Sequence, residues 1–452
     1  MDHTTSTGAL PPTILVIVGI TGDLSKRKLL PALYQITTAK ELPDHFHVIG
    51  ITRRELSINS VLDDTFRDSP NKASVLRPYT EMLQMDLTHK QDYVLLKGKI
   101  DSLAEKWGQP VQILFYLSVP PEVSRPIIKL LGDVGLNHEK VKLLLEKPFG
   151  TNLASAQEMI EEISGTFKES QMFRIDHYLA KEMAQNILIF RKSNALFRRI
   201  WNKDFIEHIE IIASETIGIE NRAIFYEQTG ALRDIIQSHL MQLLALTLME
   251  LPKDDSTDEI LEERLRALKT VHIASQASNT AVRAQYEGYR EEVANPHSHV
   301  ETFASLTLMS DAIEWQGVPL TLTTGKALAN KFTEIKIYFR RDKADEANRL
   351  TLRIQPHEGI DIELWAKQPG YQRKLRSVQL EFAYATNKIL PEAYEQVLLD
   401  AIRSNKSLFA SSEEVLATWR ILEPILKIWA INNNDLRFYK KGSRIDSIIK
   451  SE

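Results

Sequence analysis

Between residues 13 and 163 the chain alternates short, β-branched apolar runs with longer stretches whose apolar positions recur every three or four residues. Segments 13–18, 47–51, 82–86, 111–117 and 141–145 read as strands, and 25–39, 93–107, 121–131 and 153–163 as helices. The strands are apolar at nearly every position, the pattern of a sheet covered on both faces. Strand–helix alternation of this kind predicts a parallel, doubly wound sheet of the Rossmann type.

Beyond residue 172 the rhythm changes. A helix is expected over 178–191, a strand over 208–213 and a helical run over 230–249. Strand-like segments then follow one another at 303–309, 320–324, 334–339, 350–354, 360–366 and 377–381. Strands succeeding strands predict a mostly antiparallel sheet, so the larger second domain is expected to be α+β. Segments 252–257 and 291–299 read as loops, and two helices, 392–403 and 412–430, close the chain. The domains are expected to be 1–172 and 173–452.

Composition narrows the function classes. A chain of 452 residues is too long for one ordinary core. Its net charge of −4, with basic and acidic residues nearly balanced, points to neither a nucleic-acid nor a membrane partner. There are no cysteines, which removes disulfides, thiolate catalysis and cysteine-ligated metals together. Residues 1–12 contain Asp2 and no Lys or Arg, so they do not read as a targeting segment, and a cytoplasmic protein is expected. The apolar runs at 14–18, 143–145 and 243–248 are far shorter than a membrane span.

Three places carry candidate chemistry. The first strand ends in Gly19-Ile-Thr21-Gly22-Asp23-Leu24-Ser-Lys26-Arg27-Lys28. A glycine-punctuated turn between strand and helix lets backbone N–H groups approach a pyrophosphate. Lys26, Arg27 and Lys28 crowd the first helical turn, where the helix dipole disfavours cations. A bound polyphosphate would offset that cost, and an exposed, solvated turn would tolerate it. The second strand ends in Arg53-Arg54 with no carboxylate at its tip. An acid there would bind the ribose of NAD, whereas Arg suits the 2′-phosphate of NADP. NADP is therefore expected, with NAD use possible. Next, strand 141–145 runs into Glu146-Lys147-Pro148, where Lys147 can meet both cofactor and substrate or simply stand exposed before a turn proline.

The third place is Arg174-Ile-Asp176-His177-Tyr178-Leu-Ala-Lys181-Glu182. Read as the start of the expected helix, it puts His177 and Lys181 on one face as a phosphate clamp. Equally, Asp176 would be an N-cap with both bases solvated. Further on, His239 lies in a mostly apolar helical run, a core histidine or a general base. Lys326 and Lys331 follow a strand-like run.

The chain resembles the glucose-6-phosphate dehydrogenases. The resemblance rests on the whole of 19–33, Glu-Lys-Pro-Phe-Gly at 146–150, Arg-Ile-Asp-His-Tyr-Leu-Ala-Lys-Glu at 174–182, Gly-Ala-Leu-Arg-Asp-Ile-Ile-Gln-Ser-His-Leu at 230–240 and Gly-Lys-Ala-Leu at 325–328. Weaker similarity continues through 391–398 and 418–424, so nearly the whole chain is covered.

The resemblance implies oxidation of glucose 6-phosphate at C1 with hydride transfer to NADP, and no metal. It implies that Gly19, Thr21, Gly22, Asp23, Leu24, Arg53, Asp86 and Leu87 meet the cofactor, and that Lys147 meets cofactor and sugar. It implies that His177, Tyr178 and Lys181 bind the 6-phosphate, that Glu215 and Asp234 bind sugar hydroxyls, and that Lys326 and Lys331 are further substrate lysines. His239 would be the catalytic base, oriented by Asp176. A homodimer or homotetramer formed through the second sheet is implied as well. The chain departs from the family pattern at Ala180, at Asn221, Ala223 and Ile224, all places where glycine is usual, and in its closing segment, so the resemblance is not extended to a second, structural NADP site. Two alternatives are a dehydrogenase of unphosphorylated sugars and a catalytically inactive phosphosugar- and NADP-binding regulator.

Overall fold

The computed structural model describes residues 10–254, 256–274, 280–341, 346–384, 390–432 and 434–450. The first nine residues, on which the targeting expectation rests, and one position of the expected loop at 252–257 lie outside these. The chain divides into two compact units. The first comprises Met1–Gly150, Ala154–Ala180 and Pro391–Ser412; the second comprises Thr151–Leu153, Lys181–Leu390 and Glu413–Glu452.

The first unit is built on strands β1 (Thr13–Val18), β2 (Phe46–Thr52), β3 (Thr80–Gln84), β4 (Gln112–Leu117), β5 (Val141–Leu145) and β6 (Met172–Ile175). Their order is β6-β5-β4-β1-β2-β3, all parallel, with Phe409–Ala410 added antiparallel outside β6. Every residue of β1, β4 and β5 is buried, which is why these strands read as unbroken apolar runs. The order reverses between β1 and β4. Crevices for ligands open at the carboxyl ends of strands at such a switch point.

Segment 391–412 belongs to this unit because buried polar groups of the sheet require it. Lys142 on β5 donates to Gln112 Oε1 (2.6 Å), Ala401 O (2.6 Å) and Ser404 Oγ (2.7 Å), while Gln112 Nε2 donates to Ile402 O (2.8 Å). Burial pushes the Lys142 ammonium down to about 8. The closing helix expected at 392–403 forms as Ala393–Arg403, and its Ala401 carbonyl is one of the acceptors of that cation.

The second unit holds β7 (Ile206–Ser214), β8 (Val271–Ile273), β9 (Ala281–Tyr286), β10 (Phe303–Ser310), β11 (Leu320–Gly325), β12 (Phe332–Phe339), β13 (Arg349–Gln355), β14 (Gly359–Lys367) and β15 (Leu375–Ala383). They run β15-β14-β13-β12-β7-β11-β10-β9, with Leu436–Tyr439 outside β9 and β8 paired to β10. Pairing is antiparallel except for β7 with β11 and Leu436–Tyr439 with β9. The sheet is therefore mostly antiparallel, as the succession of strands predicts. The expected helical run at 230–249 begins earlier, at Ala223, breaks at Gly230, and continues as a wider π-helical segment, Leu232–Leu240, into Met241–Leu248.

Candidate active site

In the first unit a cleft of about 490 Å³ opens at the carboxyl ends of β1 to β4. Gly19, Thr21, Gly22, Arg53, Asp86 and Leu87 line it, together with Ser118 and Val119 after β4. Gly19 is fixed by two demands. Its φ is +86°, and a Cβ there would lie 2.6 Å from the Ser118 carbonyl oxygen. The tight turn is closed by Gly22 N–H donating to Gly19 O at 2.9 Å. Asp86 sits at the mouth, its carboxyl held below the usual range chiefly by hydrogen bonds from Thr88. Arg53 and Arg54 are exposed on the rim, and neither forms an ion pair among the described residues.

The basic first turn has a simpler explanation than a polyphosphate. Lys26 pairs with Asp64 (2.6 Å), Arg27 with Asp23 (3.5 Å) and Lys28 with Glu392 (2.9 Å). None of these cations lines the cleft, and nor do Asp23 and Leu24, which open the helix.

Lys147 follows β5 through a cis bond to Pro148. Beside it Glu146 is half-buried and accepts the Tyr116 hydroxyl; desolvation raises its carboxyl, and hydrogen bonds from Tyr116 and Tyr394 work against that. Asp176 comes directly after β6, nearly buried, and its Oδ1 accepts the Tyr178 N–H at 2.9 Å. The carboxylate thus closes a local turn over 177–180 and does not cap a helix. The His177 ring lies nearly parallel to Tyr394 at 6.3 Å between centroids, and Tyr178 is buried beside it.

The shared helix face expected for His177 and Lys181 does not exist. The helix runs Glu182–Ser193, with Lys181 in extended conformation ahead of it. It starts there because Glu358 accepts the Met183 N–H at 2.8 Å, capping the first turn from a distant strand end.

In the second unit strand register assembles a charged cluster. Ser214 and Gly325 are partners on parallel β7 and β11, so the residues that follow, Glu215 and Lys326, leave the sheet side by side. Lys326, 3% exposed, pairs with Glu215 and stands 3.8 Å from the Asp234 carboxylate, with its ammonium 5.8 Å from the Tyr226 ring centre. Asp234 and His239 are both buried on the π-helical segment. Lys331 is exposed just before Phe332, the register partner of Ser214, and so lies at the same strand end as Glu215. Tyr226 and Tyr394 carry no spacing signal; only packing brings them to these groups. At the departures from the family pattern, Ala180 is buried, and Ala223 opens the helix that carries Tyr226.

Models of the two halves of one family match nearly end to end: the glucose-6-phosphate dehydrogenase NAD-binding domain over residues 16–186 and the C-terminal domain over 188–448. The chain belongs to the glucose-6-phosphate dehydrogenase family. Glucose-6-phosphate 1-dehydrogenase of Chlamydia muridarum is 37% identical over 93% of this chain and 91% of that protein. The enzyme of the same name from Streptococcus pneumoniae is 36% identical over 95% and 92%. A solved glucose-6-phosphate dehydrogenase in complex with glucose 6-phosphate superposes with a TM-score of 0.91, covering 98% of each chain at 28% identity.

The first unit's cleft fits the nicotinamide cofactor of this family. A backbone cradle too tight for a Cβ at Gly19 admits a pyrophosphate, and the exposed rim arginines, with no ion pair among the described residues, can meet a phosphate.

Proposed function

We infer that the protein oxidises D-glucose 6-phosphate at C1 to the 6-phosphogluconolactone with reduction of NADP, the first step of the oxidative pentose phosphate route. The observation that carries this reading is the match of both family halves along one chain, with one fold shared over 98% of its length. NADP, when bound, supplies the hydride acceptor, and the protein supplies binding, orientation and proton transfer. Nothing favours the inactive regulator.

His239 is the proposed base that takes the C1 hydroxyl proton, and Asp176 the carboxylate that fixes its tautomer and stabilises the imidazolium. Lys147, His177, Tyr178 and Lys181 are assigned to the sugar phosphate, whose binding energy positions C1 from a distance. Glu215 and Asp234 are assigned to the sugar hydroxyls, and Lys326 and Lys331 are assigned as further substrate lysines. The ion pairing of Lys326 with Glu215 and its nearness to Asp234 support this, because a pre-paired cluster presents donors and acceptors without reorganisation. Gly19, Thr21, Gly22, Arg53, Asp86 and Leu87 are assigned to NADP, with Lys147 shared, and Asp23 and Leu24, which do not line the cleft, only through their backbone at the start of the helix. NADPH formation from glucose 6-phosphate, beside free glucose, tests the reaction; turnover of glucose alone would point to the broader sugar dehydrogenases.

We also propose a homodimer or homotetramer joined through β14 and β15. Leu364, Leu380 and Phe382 on these strands are exposed on one face of the sheet, an apolar patch that a second copy would cover. Light scattering of the wild type and of Leu380→Glu tests it; a monomeric wild type would remove the proposal. A cytoplasmic setting is proposed too, since a chain without cysteine gains nothing from an oxidising compartment; cell fractionation tests that.

A further inference from the structure

The helix bearing Asp234 and His239 begins at an abrupt change of direction, Gly230, with φ 66° and ψ 178°. Glu301, 4% exposed, meets the chain immediately after it. Its Oε1 accepts the Leu232 N–H at 2.9 Å, and its backbone carbonyl accepts the Ala231 N–H at 2.9 Å. One residue thereby satisfies two amides that the start of a helix leaves without partners. A Cβ at position 230 would lie 2.5 Å from Glu301 Oε1, so glycine is required there for space as well as for its φ. The next residue reaches the opposite side of the cluster: Thr302 O accepts the Lys326 N–H at 2.9 Å, and its hydroxyl is bonded to Tyr439 at 2.9 Å. Two consecutive residues therefore hold the backbone of the Asp234–His239 helix and that of Lys326.

We propose that Glu301 is a positioning residue, which fixes the first turn of this helix and through it the placement of Asp234 and His239. The inference rests on the roles proposed above for those two side chains. Asp234 is two residues from the amide that Glu301 holds, and His239 is about two helical turns along. A helix transmits a tilt of its first turn to both, and small misplacements of reacting groups cost rate steeply.

The test compares Glu301→Ala, which removes the acceptor, Glu301→Gln, which keeps one, and Gly230→Ala, whose methyl displaces the carboxylate. Wild type and His239→Asn are run alongside, all with saturating glucose 6-phosphate and NADP well below the melting midpoint. Glu301→Ala and Gly230→Ala are expected to lose kcat about 10- to 100-fold with unchanged NADP Kd, while Glu301→Gln stays within about threefold of wild type. A cap that served stability alone would lower Tm and leave the kcat of folded protein intact. Folded Glu301→Ala with wild-type kcat overturns the proposal, as does Glu301→Gln impaired as deeply as Glu301→Ala. Should Glu301→Ala fail to fold, wild-type kcat in Gly230→Ala overturns it. If His239→Asn retains full turnover, the assignment of the base is what fails. Amide exchange over 231–240 then decides on the cap: faster exchange in Glu301→Ala but not in Glu301→Gln upholds it, and unchanged exchange overturns it.

Discussion

The Lys326 ammonium stands 3.8 Å from the Asp234 carboxylate, although one is carried by a strand end and the other by a helix. Lys326 is also paired with Glu215, and only 3% of its side chain is exposed. Lys326→Met would leave two carboxylates facing each other without their cation. A loss of about 3 kcal/mol in stability is expected, on the scale of breaking a buried pair. KM for glucose 6-phosphate is expected to rise with NADP affinity unchanged. An unaltered KM in folded protein would remove Lys326 from the sugar site.

Arg53 is the residue proposed to meet the 2′-phosphate of NADP. Exposed on the cleft rim and free of any ion pair among the described residues, it is available to the 2′-phosphate. Arg53→Gln is expected to raise KM for NADP by about 10- to 100-fold, the size of one or two charge-assisted hydrogen bonds. KM for NAD is expected to stay nearly constant. Equal changes for both cofactors would contradict the assignment.

Arg264 and Glu414 form an ion pair with no exposure at all, Nε to Oε1 at 2.9 Å, joining helix Thr257–Lys269 to helix Ser412–Ile431. Arg264→Met alone strands the buried carboxylate and is expected to cost about 3–5 kcal/mol in denaturant unfolding. Adding Glu414→Leu is expected to recover most of that loss. A double variant no better than the single would show that the pair's value lies elsewhere.

The pattern is legible where physics is local. Strands 13–18 and 141–145 read at their observed bounds because sheets covered on both faces leave unbroken apolar runs. Strand Ala281–Tyr286 does not read as one, because the buried positions Arg283 and Gln285 look polar. Their partners, Asp435 and Val300 O, come from elsewhere in the chain. The start of the Glu182–Ser193 helix is hidden likewise, since its cap, Glu358, is 175 residues from Met183. Lys28 looks like a phosphate ligand until Glu392, 364 residues on, is seen to hold it. Motifs name Glu215 and Lys326 separately. Only the parallel pairing of β7 with β11 makes them neighbours.

Asp400 gives the protein a defined pH response. Burial raises its carboxyl to about 6, against a hydrogen bond from Gln396 and the charge of Arg403. The folded state thus holds this proton more tightly than the unfolded chain, where the pKa is about 3.9. Its contribution to stability is full below about pH 4 and is lost as pH rises through 6. Asp400→Asn is expected to flatten the Tm profile over that window and to melt higher than wild type above neutrality. Parallel profiles for the two proteins would contradict this.

The central claim is that His239 takes the proton from C1 of glucose 6-phosphate as the cofactor is reduced. The direct test is kcat for NADPH formation in His239→Asn, with binding of glucose 6-phosphate and NADP measured on the same protein. A fall of about 10²- to 10⁴-fold with both affinities kept is predicted, the contribution of a positioned general base. Turnover close to wild type in that variant would contradict the account and place the base elsewhere.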